Sequence, residues 1–183
     1  MKPLEKKTFT QIRTEIISKA EGEVLEIGCG TGINFPFYKH VSVTAIEPND
    51  VLRDLAHKRA DQTDAPIHVV EGNAEKLPFK DHSFDTVVGT LVFCTIPDPK
   101  KAIREMMRVC KPKGKILIFE HTRHEHKMLA AMQDLLTPIW KRICDGCHLN
   151  RNTEQLLRQE GIEIVNKKTY MNKIFITVEG RNA

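Results

Sequence analysis

The stretch VLEIGCGTG at residues 24–32 decides the fold. Its apolar residues Val24, Leu25 and Ile27 form a short run that is typical of a buried strand. Glycines follow at alternate positions, so the backbone can turn sharply there and come close to a ligand. A buried strand that ends in a glycine-rich turn before a helix is typical of the first unit of a doubly wound α/β sheet.

The rest of the chain alternates short β-rich runs with helical stretches. The apolar runs predict strands at 23–28, 41–47, 67–72, 84–90, 115–121, 162–170 and 173–180. The last two are joined by a short turn, so they must be antiparallel. Periodicity and capping residues predict helices at about 49–60, 98–110 and 152–161. We expect an α/β sheet with helices on both faces and a single domain over residues 1–183.

Composition excludes several classes of protein. A chain of 183 residues suffices for one domain, and its net charge of +4 is too dispersed to indicate a nucleic-acid partner. The apolar run at 86–96 is too short to span a membrane, and the N-terminus has no signal-peptide core. Five cysteines argue against a closed disulfide framework, so we expect a cytoplasmic protein.

The turn after the first strand is the expected ligand site, because open α/β sheets bind ligands at the carboxyl ends of their strands. Its glycines, Gly28, Gly30 and Gly32, have the spacing G-x-G-x-G. A dinucleotide fingerprint needs its third glycine at position 33, where this chain has Ile33. An NAD-dependent oxidoreductase is therefore the less favoured alternative.

Two further segments favour a nucleoside ligand. Glu47 closes the second predicted strand, where a carboxylate can accept hydrogen bonds from ribose hydroxyls. Asn73 and Ala74 follow the third strand and are candidates for contact with an adenine edge. Together with the glycine turn, these residues predict a nucleoside-binding site at one edge of the sheet.

These motifs, taken in order, resemble those of the class I S-adenosylmethionine-dependent methyltransferases. The matching stretches are VLEIGCGTG, the acid that ends the second strand, VVEGNAEKLPFKDHSFDTVV at 69–88 and REMMRVCKPKGKILIFEH at 104–121. The resemblance implies a Rossmann-like, mostly parallel seven-stranded sheet in the order 3-2-1-4-5-7-6, with an antiparallel last strand. It also implies S-adenosyl-L-methionine as the cofactor and a short N-terminal helix within residues 1–21.

The resemblance further implies which residues bind the cofactor. The glycine turn would line its methionine half, Glu47 would accept hydrogen bonds from the ribose, and Pro48 would flank the adenine. Glu26 stands where Asp is commoner, but it keeps the charge that attracts the cofactor's ammonium group. The implied cofactor-binding residues are Glu26, Gly28, Cys29, Gly30, Gly32, Glu47, Pro48, Asn73, Ala74, Thr90, Leu91 and Val92.

The acceptor side has its own resemblance. The middle motifs are similar to those of the ubiquinone/menaquinone C-methyltransferases, and residues 105–162 are more similar to the alkyl-thiol methyltransferases. In the latter, a pattern DGC-(H or N)-L-(T or N)-R matches residues 145–151. This implies a small, lipophilic acceptor (a thiol, a phenol or a quinone-like molecule), reached through an insertion at 122–151. A non-catalytic or degenerate cofactor-binding protein is the alternative, and we expect a monomer or homodimer.

The acceptor wall is expected to include Phe93, Cys94, Glu120 and Trp140. Three residues are candidates for its chemistry. His121 follows the fifth strand and titrates near neutrality, so it is the candidate base; a place in a solvated loop is the alternative. Asp145 and His148 belong to the family motif, although Asp145 could instead brace the loop by pairing with Arg151.

The stretch ICDGCHLNR at 143–151 also contains the spacing C-x-x-C-H, which is how c-type haem is attached. Haem attachment requires export, and the chain shows no export signal. A structural zinc site requires four ligands, and only His121 and His126 form a remote candidate pair. We therefore expect no metal and interpret the segment as part of the acceptor wall.

Overall fold

The computed structural model describes residues 3–144 and 146–182, and within these ranges the chain forms seven strands and five α-helices. The first half contains α1 (Pro3–Ile17), β1 (Glu23–Ile27), a 3₁₀ turn (Phe35–Phe37), β2 (Ser42–Ile46), α2 (Asp50–Ala60) and β3 (Ile67–Val70). The second half contains β4 (Phe84–Thr90), α3 (Pro99–Val109), β5 (Cys110–His121), α4 (Lys127–Ile143), α5 (Thr153–Gln159), β6 (Glu163–Tyr170) and β7 (Phe175–Arg181).

The seven strands form one sheet in the order β3-β2-β1-β4-β5-β7-β6. Strands β1 to β5 are parallel, whereas β7 is antiparallel to both β5 and β6. The predicted fold class and strand order are confirmed. Because the parallel strands all end at the same edge, the loops after β1, β2, β3 and β4 meet there.

Helices cover both faces of the sheet, because successive side chains of a buried strand point to opposite sides. Leu25 and Ile27 of β1 pack in one apolar layer with Met106 of α3. Val24 lies in the other layer, together with Ile12 of α1. All five side chains are nearly inaccessible to solvent, so β1 lies at the centre of the molecule and fixes the position of the glycine turn.

Strand β5 begins at Cys110, five residues before the predicted start. Cys110 pairs with Phe84 of β4, after which the register shifts through a bulge in which Lys113 has a φ of +61°. The side chain of Asn182 donates to the carbonyl oxygen of Cys110 at 2.8 Å. A residue near the far end of the chain thus supports this pairing. The local sequence periodicity, which predicted a helix through Cys110, does not indicate this contact.

Candidate functional site

A cavity of about 480 Å³ lies at the carboxyl edge of the sheet, among the loops that follow β1, β2, β3 and β4. Its size falls within the range of roughly 300–1,000 Å³ that is usual for small-molecule sites. Eight of the residues predicted to bind the cofactor line it: Gly28, Gly30, Glu47, Pro48, Asn73, Ala74, Leu91 and Val92.

A larger cleft of about 760 Å³ lies at the opposite edge, next to Gly22, Ser42 and Pro66. It adjoins the amino ends of the parallel strands and is lined by none of the predicted site residues. Ligands of open α/β sheets bind outside the carboxyl ends, so the smaller cavity is the candidate site.

Glu47 joins two walls of the cavity. It follows the last residue of β2, and its carboxylate is almost fully buried. Its Oε2 accepts the N–H of Gly30 at 2.9 Å, and its Oε1 accepts the N–H of Asn49 at 3.0 Å. A carboxylate oxygen has two lone pairs, so each keeps one that a ribose hydroxyl can use.

Gly28 and Gly30 shape the glycine turn, and they differ in how much space a Cβ atom would have at each position. Gly28 and Gly30 have φ values of +60° and +56°, which side-chain-bearing residues seldom adopt. A Cβ atom at Gly28 would lie 2.2 Å from Cγ2 of Val92, so glycine is required there by packing. At Gly30 a Cβ atom would meet no heavy atom of the described chain within 4 Å, which leaves room for a ligand.

Sequence reasoning missed part of the cavity lining. Asn49 caps α2 by accepting the N–H of Leu52 at 3.1 Å, and both residues face the cavity. The capping pattern predicted helix α2, but it did not indicate that the first turn of this helix lines the ligand site. The other unpredicted lining residues are Ile46, Gly72, Thr95, Ile96 and Pro97.

Four of the predicted cofactor residues do not line the cavity: Glu26, Cys29, Gly32 and Thr90. Glu26 lies in a buried polar network, where it accepts from Asn34 at 2.7 Å and from Tyr38 at 2.8 Å. Thr90 joins the same network and accepts from Asn34 and from Arg13 of α1. The predicted contact between Glu26 and the cofactor's ammonium group stays a prediction.

Burial raises the pKa of Glu26 to about 7, although hydrogen bonds from Tyr38 and Asn34 and the charge of Arg13 oppose this. Burial lowers the pKa of the Arg13 guanidinium from its usual value, and the charge of Glu26 counters that effect. The network thus links α1 to the sheet directly behind the glycine turn.

Beyond the ends of β4 and β5 lies a group that we name the thiol–imidazole cluster: Cys94, His121 and Cys147. Nε2 of His121 is 3.2 Å from Sγ of Cys147, and one ligand atom from each of the three residues lies within 4.8 Å of the others. Burial lowers the pKa of His121 to about 4, and the charge of Arg151 adds to this effect. The imidazole is therefore neutral at physiological pH and a weak base.

Glu120 shapes the loop that carries Leu91 and Val92. It is fully buried, and its Oε1 accepts the N–H groups of Val92 at 2.6 Å and Phe93 at 2.8 Å. Its Oε2 is buried without a hydrogen-bond partner in the described part of the chain. Burial raises the pKa of Glu120 to about 8, against the effect of those two backbone hydrogen bonds.

The family-motif segment docks onto the loop after β4. Arg151 donates to the carbonyl oxygen of Ile96 at 2.7 Å and also to that of Phe93, and the backbone N–H of His148 donates to the carbonyl oxygen of Cys94 at 2.8 Å. The His148 side chain lines a groove beside α4 and not the cavity. Asp145 lies outside the described residues, so its proposed roles stay predictions.

Helix α4 adds an apolar surface next to the cluster. Burial raises the pKa of Cys147, and the nearby side chains of Cys94 and Trp140 oppose this effect. Eight of the large apolar side chains of α4 are at least 36 % exposed: Met128, Leu129, Met132, Leu135, Leu136, Ile139, Trp140 and Ile143. Within the described residues, no helix combines the length and the apolar character needed to cross a bilayer.

Comparisons with known proteins agree with this geometry. A family model described as a methyltransferase domain matches residues 25–118, which is 94 of the 183 residues. The chain is 37 % identical over 160 residues to the thiol S-methyltransferase TMT1B of Rattus norvegicus, covering 84 % of this chain and 65 % of that protein.

It is also 31 % identical over 120 residues to the ubiquinone/menaquinone biosynthesis C-methyltransferase UbiE of Shewanella sediminis, covering 62 % of this chain and 48 % of the relative. The chain thus spans about half to two-thirds of the length of these relatives.

A solved S-adenosylmethionine-dependent methyltransferase from Methanosarcina mazei superposes with a TM-score of 0.69 at 26 % identity, covering 87 % of this chain and 92 % of that one. The matched family model includes the glycine turn, Glu47 and the loops after β3 and β4. The chain therefore belongs to the class I S-adenosylmethionine-dependent methyltransferases.

Proposed function

We propose that this domain moves a methyl group from S-adenosylmethionine to a small lipophilic thiol. The observation that carries the proposal is the docking of residues 146–151, which match the alkyl-thiol methyltransferase pattern, onto the loop that holds Leu91 and Val92. The identity to a thiol S-methyltransferase over 160 residues supports the same acceptor class. A phenol or quinone-like acceptor is the second candidate, supported by the identity to a quinone-biosynthesis enzyme.

The residues at the carboxyl edge fit the cofactor. Glu47 would hold the ribose hydroxyls, Asn73 and Ala74 would hold the adenine edge, and the open space at Gly30 would admit the methionine half. When bound, S-adenosylmethionine supplies a methyl group activated by a sulfonium, so the protein's main task is alignment. Leu91 and Val92 are proposed to flank this methyl group and to leave it open to the acceptor.

Alignment of the acceptor is assigned to the cluster and to α4. In-line placement of a nucleophile is worth effective molarities on the order of 10⁵ M or more. His121 is the proposed proton acceptor, and its low pKa means that proton transfer contributes less than alignment. Asp145 and His148 are proposed to shape the acceptor wall. The exposed apolar face of α4 supports a lipophilic acceptor.

All five cysteines are free thiols, which supports the proposed cytoplasmic location, because such thiols persist in a reducing compartment. We keep a monomer or homodimer as the proposed state. No nucleic acid is invoked, because the net charge of +4 is small for a chain of this length.

The experiment incubates the protein with trideuteromethyl-labelled cofactor and matched acceptors: alkyl thiols of increasing chain length, a phenol and a short-chain quinol. Mass spectrometry identifies the labelled products. We expect a labelled methyl thioether, formed faster from longer thiols. Binding of S-adenosylhomocysteine without any methylated product would support the non-catalytic alternative, and methylation of the phenol or quinol alone would replace the thiol.

A further inference from the structure

We propose that the thiol–imidazole cluster binds Zn²⁺, with Cys94, His121 and Cys147 as its three protein ligands and a fourth position open. The proposal goes beyond the proposed function, because metal binding is measured with neither cofactor nor acceptor present. Thiolate and imidazole are the ligands that Zn²⁺ prefers, and a site with three protein ligands leaves room for a small molecule.

The distances fit tetrahedral coordination closely. Bonds of about 2.3 Å to sulfur and about 2.0 Å to nitrogen place neighbouring ligand atoms roughly 3.5–3.8 Å apart. In the cluster, Nε2 of His121 and Sγ of Cys147 are 3.2 Å apart, and the three ligand atoms all lie within 4.8 Å of one another. Coordination therefore requires side-chain movements of no more than about 1 Å.

The cluster is held by three separate parts of the fold. Cys94 lies in the loop after β4, His121 is the last residue of β5, and Cys147 lies between α4 and α5. The backbone bond from His148 to the carbonyl oxygen of Cys94 joins the first and third of these parts. Such cross-linking orders the ligands before a metal arrives, which reduces the entropy lost on binding.

Two buried polar atoms at this place have no partner in the described chain. They are Nδ1 of His121 and Oε2 of the neighbouring Glu120. Buried polar atoms are usually hydrogen-bonded. Zinc bound at Nε2 would leave the other ring nitrogen of His121 to donate to a water, as zinc-bound histidines commonly do. The Glu120 carboxyl lies close enough to influence both thiols electrostatically. The opposing charge, Arg151, is already bonded to the carbonyl oxygens of Phe93 and Ile96.

The cluster differs from the C-x-x-C-H spacing in the sequence. The spacing would pair Cys147 with Cys144 and His148, but Cys144 is not in the cluster and the His148 side chain lines the groove beside α4. Only Cys147 is shared. The two assignments can therefore be separated by a single substitution at Cys144.

Binding must release protons, because the thiolate and not the thiol ligates Zn²⁺. Each of Cys94 and Cys147 forms one sulfur–zinc bond and loses one proton to the solvent, whereas the neutral imidazole of His121 binds through a lone pair. The fourth position takes water or an exogenous thiol. If the acceptor thiol binds there, its proton is released to the solvent and the zinc ion, instead of His121, stabilises its thiolate. This last step rests on the proposed function.

The test uses the purified full chain, reduced and freed of metal by a chelator. Zn²⁺ is added against a chromophoric competitor, and Co²⁺ is added in a parallel titration. We expect one Zn²⁺ per chain, release of two protons, and a Co²⁺ spectrum with thiolate charge-transfer bands and tetrahedral d–d bands. The fluorescence of Trp140, the only tryptophan, should change on binding because its side chain lies close enough to Cys147 to influence the pKa of that thiol.

Variants then assign the ligands. Cys147→Ser and Cys94→Ser should each weaken Zn²⁺ binding by at least about 100-fold, more than the loss of an outer-shell partner does. Cys144→Ser is the matched control and should bind Zn²⁺ as the unaltered chain does. The wild-type Co²⁺ spectrum carries the test even if a variant fails to fold.

Absence of stoichiometric Zn²⁺ binding by the reduced wild-type chain would overturn the proposal. So would loss of binding in Cys144→Ser, or a Co²⁺ spectrum without thiolate bands. Failure of the proposed function is distinguishable from failure of the metal site. Zn²⁺ binding without methyl thioether formation supports the metal site and contradicts the proposed function. Thioether formation by metal-free protein refutes a catalytic role for the metal.

Discussion

Oε2 of Glu47 accepts the backbone N–H of Gly30 at 2.9 Å, so the end of β2 holds the turn that follows β1. The same carboxylate accepts the N–H of Asn49 at the start of α2. The loops after β1 and β2 are thereby positioned around one buried charge. Cofactor affinity should depend on this residue more than on any other acid nearby.

Glu47→Gln should weaken binding of S-adenosylhomocysteine by about 10–100-fold. The amide replaces one accepting oxygen with a donor, and a hydrogen bond to a charged group is worth about 1.5–3 kcal/mol. Isothermal titration calorimetry measures the change. Glu71→Gln is the matched control, because that side chain is 79 % exposed at the end of β3, and equal losses in both variants would contradict the role of Glu47.

The two glycines should respond differently to alanine. Gly28→Ala places a methyl group on Cγ2 of Val92 at a positive φ, so we expect a loss of about 2–4 kcal/mol in the free energy of unfolding. Gly30→Ala meets open space and should lose only about 1 kcal/mol, yet its methyl group enters the cavity and should abolish cofactor binding. Urea denaturation and calorimetry together separate the two effects. Cofactor binding by Gly30→Ala at wild-type affinity would place the cofactor elsewhere.

Glu26 should make stability depend on pH. Its pKa rises from 4.5 to about 7 on folding, so the folded state binds the proton more tightly. Glu26 contributes on the order of 3 kcal/mol to the free energy of unfolding below pH 4.5. This contribution is lost as the pH rises through 7. Glu26→Gln should remove this part of the fall in stability, and the part that Glu120 contributes through its own raised pKa should remain. Urea denaturation at pH 4.5, 6 and 8 measures it, with the exposed Glu23→Gln of the same strand as control. An unchanged pH profile in Glu26→Gln would show that the network does not titrate in this range.

Arg151→Lys should loosen the acceptor wall. The guanidinium bonds two carbonyl oxygens of the loop after β4, which one ammonium group cannot match in geometry. We expect a loss of about 1.5–3 kcal/mol in the free energy of unfolding and a higher KM for the thiol, with little change in S-adenosylhomocysteine affinity. Arg158→Lys, at an exposed ion pair with Glu154, is the control. The assignment fails if both variants lose the same stability.

The apolar face of α4 should determine the preference for acceptor chain length. Leu135 is 76 % exposed and Ile139 is 61 % exposed, so glutamine at either position should leave stability within about 0.5 kcal/mol. We expect KM to rise for long alkyl thiols and to stay unchanged for short ones. Equal kinetics for both thiol lengths in these variants would remove α4 from acceptor binding.

Sequence reasoning succeeded where the signal is local. Each strand is a short apolar run, and residues just past the strand ends, such as Glu47 and Asn73, can be located once the strands are known. The parallel arrangement then brings them to one edge, and the family resemblance supplies the strand order. The start of the helix predicted at about 49–60 was equally visible, because a capping side chain acts within its own first turn.

Contacts between distant segments could not be found in this way. Arg13 and Thr90 are separated by 77 positions in the chain, and nothing near either residue indicates that they meet. Cys94, His121 and Cys147 likewise come together only through the docking of the 146–151 segment. The spacing within the chain draws attention to Cys144 beside Cys147, whereas the fold places Cys94 and His121 there.

The most direct test of the account is a crystal structure with S-adenosylhomocysteine bound. We predict that its ribose hydroxyls bond to Glu47 and that its sulfur lies between Leu91 and Val92, on the side of the cavity toward the thiol–imidazole cluster. Density for the ligand in the cleft beside Gly22 and Pro66, or a sulfur that points away from the cluster, would contradict it.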